Sequence, residues 1–302
     1  MRARLKHIAE RVLVESGAAR FSRLRLRGSV IVLAYHNVVP DGEPLAGERS
    51  LHLPVADFSR QLDAITETHD VVPIGAVFTE AREAARPRAV ITFDDAYLGA
   101  VTAGVRELAS RSLPATIFVA PGLLGRVTWW DSIADTHSGA IDARKRELAL
   151  TVLGGDTDLV MSEPENQVSN PNALPRICAE SDLQAAAKHD GITLASHTWS
   201  HPNLVTLSDG DLRNEMEQPL SWLRDRFSCT IPWISYPYGK SDNRVMEAAR
   251  IAGYAGGFRI DGGHIAAADA AAAKFALGRL NVPSGVSIDG FRLRLDGMGA
   301  GR

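Results

Sequence analysis

The chain has 302 residues, of which 45% are hydrophobic, and a formal net charge of −3 at pH 7. This length and apolar content suffice for one domain with a sizeable core, and the nearly balanced charge argues against nucleic acid as a partner. The two cysteines, Cys178 and Cys229, cannot build a disulfide framework and do not form a metal-binding pair, so we expect a reducing compartment.

Residues 1–28 form a basic, amphipathic N-terminal segment. Eight Lys or Arg stand against two Glu in residues 1–27. The apolar residues that recur at helical spacing are Leu5, Ile8, Ala9, Val12 and Leu13. No apolar run is long enough for a signal peptide or a membrane span, which predicts a cytoplasmic protein. The segment either packs on the following domain or, through residues 1–25, contacts the anionic inner face of a membrane.

Residues 29–290 alternate short apolar strands with amphipathic helices. A buried strand at 30–35 delivers His36 to its carboxyl end, and a helix at 56–68 follows, with Phe58, Leu62 and Ile65 as its apolar stripe. Further strands are predicted at 71–74, 89–93, 115–119, 192–195 and from 233, with helices at 97–112, 181–189, 208–227 and 243–251. This alternation predicts an α/β fold with a parallel sheet. Residues 291–302 are predicted to be a tail.

Residues 122–180 interrupt the alternation and predict an insertion on the rim of the domain. The segment contains Trp129, Trp130 and Asp131 and a helical stretch around 140–153. Long loops above an active face often shape substrate binding, and paired tryptophans can stack on sugar rings. The same two side chains could instead be part of the core.

Two adjacent carboxylates follow the apolar strand at 89–93. Successive side chains near a strand end point in different directions, so Asp94 and Asp95 can take two separate roles. One can bind a metal ion while the other acts as a general base on a water molecule.

Two imidazoles follow the strand at 192–195 in the same way. His197 and His201 are four positions apart, and a helical turn next to Pro202 would place them on one face. Because the carboxyl ends of parallel strands share one rim, both imidazoles and one carboxylate are expected within reach of a single divalent cation. A third strand ends in Pro237-Tyr238-Gly239, a turn whose backbone N–H groups can hold an oxyanion.

These motifs resemble those of the polysaccharide deacetylases of the NodB-homology group, carbohydrate esterase family 4. Thr92 to Ala96 is similar to the family's Thr-Phe-Asp-Asp-Gly, His197 to His201 to its His-Ser/Thr-x-x-His, and Ser235 to Tyr238 to its Arg-x-Pro-Tyr. The resemblance covers roughly residues 29–285. It implies a distorted (β/α)7 barrel with the site at the carboxyl-end rim.

The resemblance also implies roles for individual residues. Asp94 would be the general base, and the backbone N–H of Tyr238 would be the oxyanion donor. The metal ligands, most plausibly of Zn²⁺, would be Asp95, His197 and His201.

The chain departs from the family pattern at two positions. Ala96 replaces a glycine, which is tolerable if φ there is negative. Ser235 replaces the arginine that orients the catalytic aspartate, so another cation is needed for that task. Arg279, near the end of the last predicted strand, is the candidate.

A general acid must protonate the departing amine. His264, in the late part of the chain, is predicted to lie in a loop, whereas His36 is delivered to the rim by the first strand. In a closed barrel the first and last strands are neighbours, and deacetylases acting on biofilm poly-N-acetylglucosamine look rearranged in this way. His36 is therefore our predicted acid, kept charged by neighbouring carboxylates.

The expected function is removal of N-acetyl groups from N-acetylhexosamine residues of a polysaccharide, an oligosaccharide or a lipid-linked glycan. The residues assigned to substrate binding are Tyr35, Trp129, Trp130, Pro237 and Arg279. Two alternatives stay open: hydrolysis of another amide, such as a formamide or a cyclic imide, and a non-catalytic carbohydrate-binding module.

Overall fold

The computed structural model describes residues 2–79, 85–166, 168 and 170–298. Its strands are β1 (Ser29–Tyr35), β2 (Asn37–Val39), β3 (His52–Pro54), β4 (Asp70–Val71), β5 (Arg88–Phe93), β6 (Ala115–Val119), β7 (Ile192–Ser196), β8 (Thr230–Ser235), β9 (Gly256–Phe258), β10 (His264–Ala266) and β11 (Leu280–Asn281). Its α-helices are α1 (Arg2–Glu15), α2 (Ala18–Arg25), α3 (Val55–Thr68), α4 (Val105–Ser110), α5 (Trp129–Ser132), α6 (Ala143–Thr151), α7 (Thr157–Ser162), α8 (Glu180–Ala186), α9 (Asp209–Arg226), α10 (Asn243–Ile251), α11 (Ala267–Ala272) and α12 (Ile288–Leu295).

The central sheet curls back on itself. Strands β1, β5, β6, β7, β8 and β9 are neighbours in that order, and all pair in parallel. The short β11 pairs in parallel with the free edge of β1, and a parallel bridge from Phe258 to Leu277 joins the segment before β11 to β9. β10 lies antiparallel on the first half of β1. The predicted distorted (β/α)7 barrel is therefore confirmed.

The central strands β1, β5 and β6 form because most of their residues are apolar and nearly all are buried on one face of the sheet or the other. Along β1, Val30 and Val32 pack inside the curl with Val90 of β5. The alternate residues Ile31 and Leu33 face the surrounding helices. This two-sided burial is typical of parallel strands and explains their near-continuous apolar runs.

Several predicted elements agree closely with the structure. The strand at 30–35 is β1, and the helix at 56–68 is α3, in which the predicted apolar stripe is buried. The helix at 208–227 is α9; Ser208 is its N-cap and accepts a hydrogen bond from the Asp211 N–H. The helix at 243–251 is α10, with the predicted bounds.

Other elements differ from their predictions. The helix predicted at 97–112 is helical from residue 98 to residue 110, but it passes through a π-helical turn at Ala100–Gly104 before α4. The strand predicted at 71–74 is limited to β4. The predicted barrel boundary at residue 290 falls within α12, whose Phe291 is buried, so the chain immediately after 290 is packed helix and not tail.

The chain between β6 and α8 contains α5, α6 and α7 and contacts the carboxyl-end rim of the barrel, whereas α8 packs on the side of the barrel before β7. The contact with the rim includes a backbone hydrogen bond from the Cys178 N–H to the Ala96 carbonyl, directly after the Asp-Asp pair. The predicted insertion thus contributes to the surroundings of the candidate site.

Candidate active site

The Asp-Asp pair lies at the carboxyl end of β5. The Asp94 N–H donates to the Tyr35 carbonyl (2.9 Å), which ties the end of β5 to the end of β1. Both carboxylates are buried, with 3% of Asp94 and 2% of Asp95 exposed. The chain then turns sharply, with φ of 69° at Asp95 and 58° at Ala96. The expectation of a negative φ at Ala96 is wrong.

The two imidazoles reach the same rim from β7. The His197 N–H donates to the Val119 carbonyl at the end of β6 (2.8 Å). Residues 197–203 are not helical, so the predicted helical turn is wrong. Thr198 and His201 instead have φ of 66° and 61°, and these two left-handed residues fold the segment back so that the rings lie 4.6 Å apart.

Left-handed backbone is concentrated at the site. Six non-glycine residues in the described part have φ between 53° and 69°, and only Ser112 is remote from the pocket. The other five are Asp95, Ala96, Thr198, His201 and Tyr238. Each such residue costs on the order of 1 kcal/mol, which is typical of backbone that is held in place for function.

Asp95, His197 and His201 form a buried cluster that fits a divalent cation. The Asp95 Oδ1 atom lies 3.5 Å from His197 Nε2 and 3.4 Å from His201 Nε2, and the two Nε2 atoms are 3.1 Å apart. All three ligand atoms lie within 4.8 Å of one another. Two imidazole nitrogens and one carboxylate oxygen, with room for further ligands, are typical of a catalytic zinc site.

The hydrogen bonds around this cluster favour metal binding. His197 Nδ1–H donates to the Ser235 carbonyl (2.7 Å), which leaves the Nε2 lone pair directed into the cluster. The buried Asp95 Oδ1 atom has no hydrogen-bond donor. A buried carboxylate oxygen without a donor is costly, and a cation bound at this point would remove that cost.

The pKa values of these groups also follow from burial. Burial, together with the nearby Asp94 and Asp131, raises the pKa of Asp95 well above its ordinary value. Burial and the neighbouring His197 lower the pKa of His201 well below its ordinary value, and burial lowers that of His197. The imidazoles are therefore neutral ligands, whereas Asp95 ionises readily only next to a positive charge.

Asp94 has the opposite surroundings. Arg279 donates to both of its oxygens, from Nη1 to Oδ1 (2.7 Å) and from Nη2 to Oδ2 (2.6 Å). Ser235 Oγ accepts from Nη2 of the same guanidinium (2.7 Å). Burial alone would raise the pKa of Asp94, but the charge of Arg279 and then His197 outweigh it and lower this pKa. Asp94 is thus ionised at any ordinary pH.

Arg279 therefore lies where it can replace the arginine that Ser235 lacks. It is completely buried, with its guanidinium stacked 5.3 Å from the centre of the Phe118 ring. Arg279 is not among the residues that line the pocket, and both ends of its guanidinium are bonded to Asp94, so the assignment of Arg279 to substrate binding is wrong. Its contact is with Asp94.

His36 follows β1 and lines the pocket beside Asp94 and His197. Burial lowers its pKa to about 4; Asp94 opposes this shift, but Arg279, His197 and His52 reinforce it. The expectation of a histidine kept charged by carboxylates is wrong for the free protein. His264 lies in β10 opposite Ile31 and not in a loop, and it is not among the residues that line this pocket.

Tyr238 closes one wall of the pocket, in a turn where its own φ is 58°. Its hydroxyl accepts from Trp129 Nε1–H (3.0 Å) and lies 3.2 Å from the carbonyl oxygens of Gly155 and His201. The Tyr238 ring packs edge-on against the His201 ring at 4.6 Å. This residue therefore connects the insertion to the imidazole pair.

Both tryptophans are buried and still line the pocket. Trp130 donates from Nε1 to the Tyr97 hydroxyl (2.7 Å), and its ring centre lies 4.8 Å from that of His201. Tyr35 is 1% exposed and packs on Phe58 in the core, so its assignment to substrate binding is wrong. Pro237 is buried and is not one of the lining residues.

The pocket has a volume of about 300 Å³. Several residues in its wall were not predicted: Glu48, Ser50, Leu51, Arg146, Leu150, Gly239, Lys240, Ile260 and Asn281. Glu48 is buried, and its carboxylate accepts from Arg146 Nη2 (2.6 Å) and Ser50 Oγ (2.9 Å). No sequence pattern indicates this group, because the loop before β3 and the insertion meet only in the folded chain.

A buried polar network behind the pocket was also missed. Asp131 accepts from His52 Nε2–H (2.8 Å), the Glu48 N–H (2.9 Å) and the Tyr97 hydroxyl (2.5 Å). The Asn37 side-chain amide donates to His52 Nδ1 (3.1 Å), which fixes the ring as the neutral Nε2–H tautomer. The network joins the insertion to the loop before β3 and to the turn that follows Asp95.

The fold and the site together define a class of protein. A parallel barrel carries a buried carboxylate and imidazole cluster at its carboxyl-end rim, beside a second carboxylate held by a guanidinium, as in a barrel hydrolase with a general base. The family model described as polysaccharide deacetylase matches residues 81–257, more than half of the chain. The chain belongs to the polysaccharide deacetylase family.

Solved structures and one relative are similar to the chain. A deacetylase from Streptococcus pyogenes, PplD, has a TM-score of 0.61 at 18% identity over 88% of this chain and 98% of its own. IcaB from Ammonifex degensii has a TM-score of 0.62 at 16% identity, over 90% and 97%. At these identities the likeness shows the fold. YxkH from Bacillus subtilis, named for the same family, is 29% identical over 119 residues, which are 39% of this chain and 41% of that protein.

Proposed function

We propose that the protein is a metal-dependent N-deacetylase that acts on N-acetylhexosamine residues of a glycan. One observation carries the proposal: two adjacent carboxylates at the barrel rim are divided between a guanidinium and a pair of imidazoles. Asp94 has its cation within the protein, whereas Asp95 faces His197 and His201 with no donor on Oδ1. A base beside a cation site is the arrangement that amide hydrolysis requires.

Asp95, His197 and His201 would hold the cation, which we propose to be Zn²⁺. When bound there, the cation supplies Lewis-acid chemistry, in that it polarises the acetyl carbonyl and makes a water molecule more acidic. The chain's contribution is to fix the ligands. The hydrogen bond from His197 Nδ1–H to the Ser235 carbonyl sets the orientation of the His197 ring. The Tyr238 ring, packed against His201, sets the orientation of the His201 ring.

Asp94 is the proposed general base. Its Oδ2 atom lies 4.0 Å from His197 Nε2, so it borders the cluster without belonging to it. The two bonds from Arg279 hold the carboxylate in one orientation and keep it ionised, which makes it ready to accept a proton from the attacking water. The same bonds make it a weak base, so the water itself must be acidified for the transfer to be favourable.

The reaction needs a proton at the amide nitrogen, because an amine leaves and acetate remains. Water supplies this proton, and we assign its delivery to His36. Because the pKa of His36 is about 4, the ring is neutral at pH 7 before reaction. The proton that His36 donates is therefore taken up during the reaction and is not stored beforehand. The Tyr238 N–H is the proposed donor to the oxyanion.

The pocket supports a sugar as the bound unit. At about 300 Å³ it lies at the lower end of small-molecule sites, and Trp129 and Trp130 form part of its wall. Glu48, Ser50 and Asn281 add polar groups that can bind hydroxyls. We propose that one N-acetylated sugar enters and that the remainder of a polysaccharide, oligosaccharide or lipid-linked glycan stays outside.

The test compares bound metal and acetate release from N-acetylglucosamine oligomers across matched variants. Wild type should contain about one zinc per chain and release acetate. Asp95→Ala should lose both, whereas Asp94→Asn should keep the metal and lose at least about a hundredfold in kcat. Asp190→Ala, which removes an exposed carboxylate, is the control and should match wild type.

Three other outcomes would contradict parts of the proposal. Metal binding without acetate release would favour a different amide substrate, such as a formamide. Acetate release that survives Asp95→Ala would remove the metal from the mechanism. A protein that takes up no metal and releases no acetate, yet binds the oligomers, would be the carbohydrate-binding module.

A further inference from the structure

The first two helices present apolar side chains to solvent. The exposed residues are Ile8 (60%), Val12 (57%), Leu13 (42%), Phe21 (73%) and Leu24 (45%). They make up five of the twelve large apolar side chains that are exposed in the described part of the chain, although they occupy only residues 8–24. Single exposed apolar residues are ordinary, but a cluster of this kind indicates an interaction surface.

The contacts of the two helices with the barrel include several polar groups. In α1, Glu10 accepts a hydrogen bond from Ser287, directly before α12 (2.6 Å). In α2, Arg23 donates to both oxygens of the buried Asp296 (2.7 and 2.8 Å), and Ser22 donates to the Asp296 carbonyl (2.5 Å). These contacts fix both helices against α12 through charged and hydroxyl groups.

Helical spacing separates an exposed face of α1 from the face that packs on the domain. Ile8 and Val12 are one turn apart and share a face, whereas Glu10 and Val14 share a different face and are partly buried. Of the two possibilities for the segment, packing on the domain is correct for the helix, but Ile8, Val12 and Leu13 of the predicted apolar stripe are exposed to solvent.

The surroundings of the apolar cluster are strongly basic. Lys6, Arg11, Arg20, Arg25 and Arg27 are exposed on the two helices and the turn that follows them. α2 contains no acidic residue.

Both glutamates of the segment already have basic neighbours within α1. Glu10 lies 3.7 Å from Lys6, and Glu15 lies 2.8 Å from Arg11. A partner of complementary charge must therefore be anionic.

A small cavity beside α2 adds a second observation. It has a volume of about 220 Å³, and its lining includes four arginines and one glutamate: Arg20, Arg23, Arg27, Arg86 and Glu67. Glu67 is engaged by Arg292 Nη2 (2.7 Å). Arg23 is bonded to Asp296, and Arg86 donates to the His69 carbonyl (3.0 Å). Arg20 and Arg27 are therefore the guanidiniums of this cavity that we assign to an anion such as a phosphate group.

We propose that α1 and α2 dock on the surface of a membrane that contains anionic lipids. The apolar side chains enter the boundary between headgroups and acyl chains, and the arginines contact headgroup phosphates. The contact is peripheral, since none of the helices in the described ranges is both long enough and apolar enough to cross a bilayer. The proposal rests on this surface alone and is independent of the proposed reaction.

The test is co-sedimentation of the full chain with vesicles of phosphatidylcholine alone and of phosphatidylcholine mixed with phosphatidylglycerol. Wild type should bind the mixed vesicles and be released by salt. Val12→Ser combined with Phe21→Ser should weaken binding about tenfold or more. Arg20→Gln combined with Arg25→Gln should weaken binding to the mixed vesicles by a similar factor.

The matched control is Val152→Ser combined with Ile251→Ser, which removes two side chains of comparable exposure (71% and 66%) outside the N-terminal helices. It should bind as wild type does. Thermal unfolding of all variants should be unchanged, because the substituted side chains are exposed. No binding of wild type to the mixed vesicles, or an equal loss in the control, would overturn the proposal.

A second copy of the chain is the competing occupant of this surface. If wild type is a dimer in sedimentation velocity and the Val12→Ser and Phe21→Ser pair makes it monomeric without changing vesicle binding, the surface is a dimer interface and the membrane proposal is wrong.

Discussion

The two sides of the pocket differ in how their charge is balanced. On the guanidinium side, Asp94 is held by two hydrogen bonds from Arg279, and its pKa is lowered. On the imidazole side, one residue further along the chain, Asp95 meets two neutral rings, and its pKa is raised. Adjacent carboxylates at one strand end thus have opposite protonation tendencies, because their surroundings and not their residue type decide the pKa.

Because of this difference, only the imidazole side is expected to be stabilised by a bound cation. The guanidinium side is complete in the chain alone, and its geometry should be the same with or without ligands. The imidazole side has a surplus of acceptors and gains free energy from any bound cation, so metal should raise the unfolding temperature of the protein. The experiments below change one side at a time.

The largest effect is expected when the cation of the guanidinium side is removed. Arg279→Ser leaves Asp94 buried without its cation and should cost about 3–5 kcal/mol in the free energy of unfolding. It should also shift the acidic limb of the kcat/KM profile upward, because Arg279 is what lowers the pKa of Asp94. Urea unfolding and pH-rate profiles measure the two effects.

The matched variants exchange the position of the charge. Adding Ser235→Arg to Arg279→Ser should recover at least about 1 kcal/mol, because the guanidinium again faces Asp94 from β8. Ser235→Arg alone should destabilise, since two guanidiniums then occupy one buried site. Arg279→Lys keeps the positive charge but loses the two-pronged hydrogen bonding of the guanidinium, so its stability should fall between those of wild type and Arg279→Ser. Equal stability of all four variants would contradict this account of Asp94.

The next effect is a dependence of stability on pH that His36 contributes. Its pKa is about 4 in the folded chain and 6.5 ordinarily, so the unfolded chain binds the proton first as the pH falls. Stability is therefore lost between pH 6.5 and 4, by up to about 3 kcal/mol from this group.

Metal-free unfolding measured across this range should show a shallower slope for His36→Asn than for wild type. The partner control is His137→Asn, which changes an exposed histidine and should retain the wild-type slope. An unchanged slope in His36→Asn would mean that the lowered pKa of His36 is absent in solution.

The smallest effect concerns the turn that separates the two sides. Ala96 has a φ of 58°, a left-handed conformation that costs an alanine on the order of 1 kcal/mol. Ala96→Gly removes this cost, but it also removes a buried methyl group whose burial contributes about 1 kcal/mol. We expect a change below about 1 kcal/mol in unfolding free energy and wild-type acetate release. Ala96→Val, which is β-branched, should destabilise clearly more, and equal behaviour of the two variants would contradict a strained turn.

The sequence predicted the barrel and the three rim motifs because these depend on local pattern. Buried parallel strands are nearly continuous apolar runs, and polar residues directly after them must lie at one rim. The pairing of Arg279 with Asp94 could be suggested only because Ser235 left that aspartate without its expected partner.

The features that could not be predicted depend on the assembled fold. No glycine marks the left-handed backbone at Asp95, Thr198 and His201, so their turns are not visible in the sequence. The pKa of His36 depends on burial and on cations from distant elements. The network around Asp131 joins segments that are far apart in the chain, and periodicity in α1 identified an apolar stripe without showing which way it faces.

The closure of the barrel determines which part of the chain a functional fragment must include. His36 and Arg279 lie outside the segment that the family model matches, residues 81–257. They flank β5 only because β11 pairs with β1 and β1 pairs with β5. A fragment cut to the matched segment would retain all three candidate metal ligands but neither the orienting cation nor the proposed proton donor. It would keep Asp94, the proposed base, but without the guanidinium that orients it and without the proposed acid, so the smallest functional unit must include the strands at both ends of the barrel.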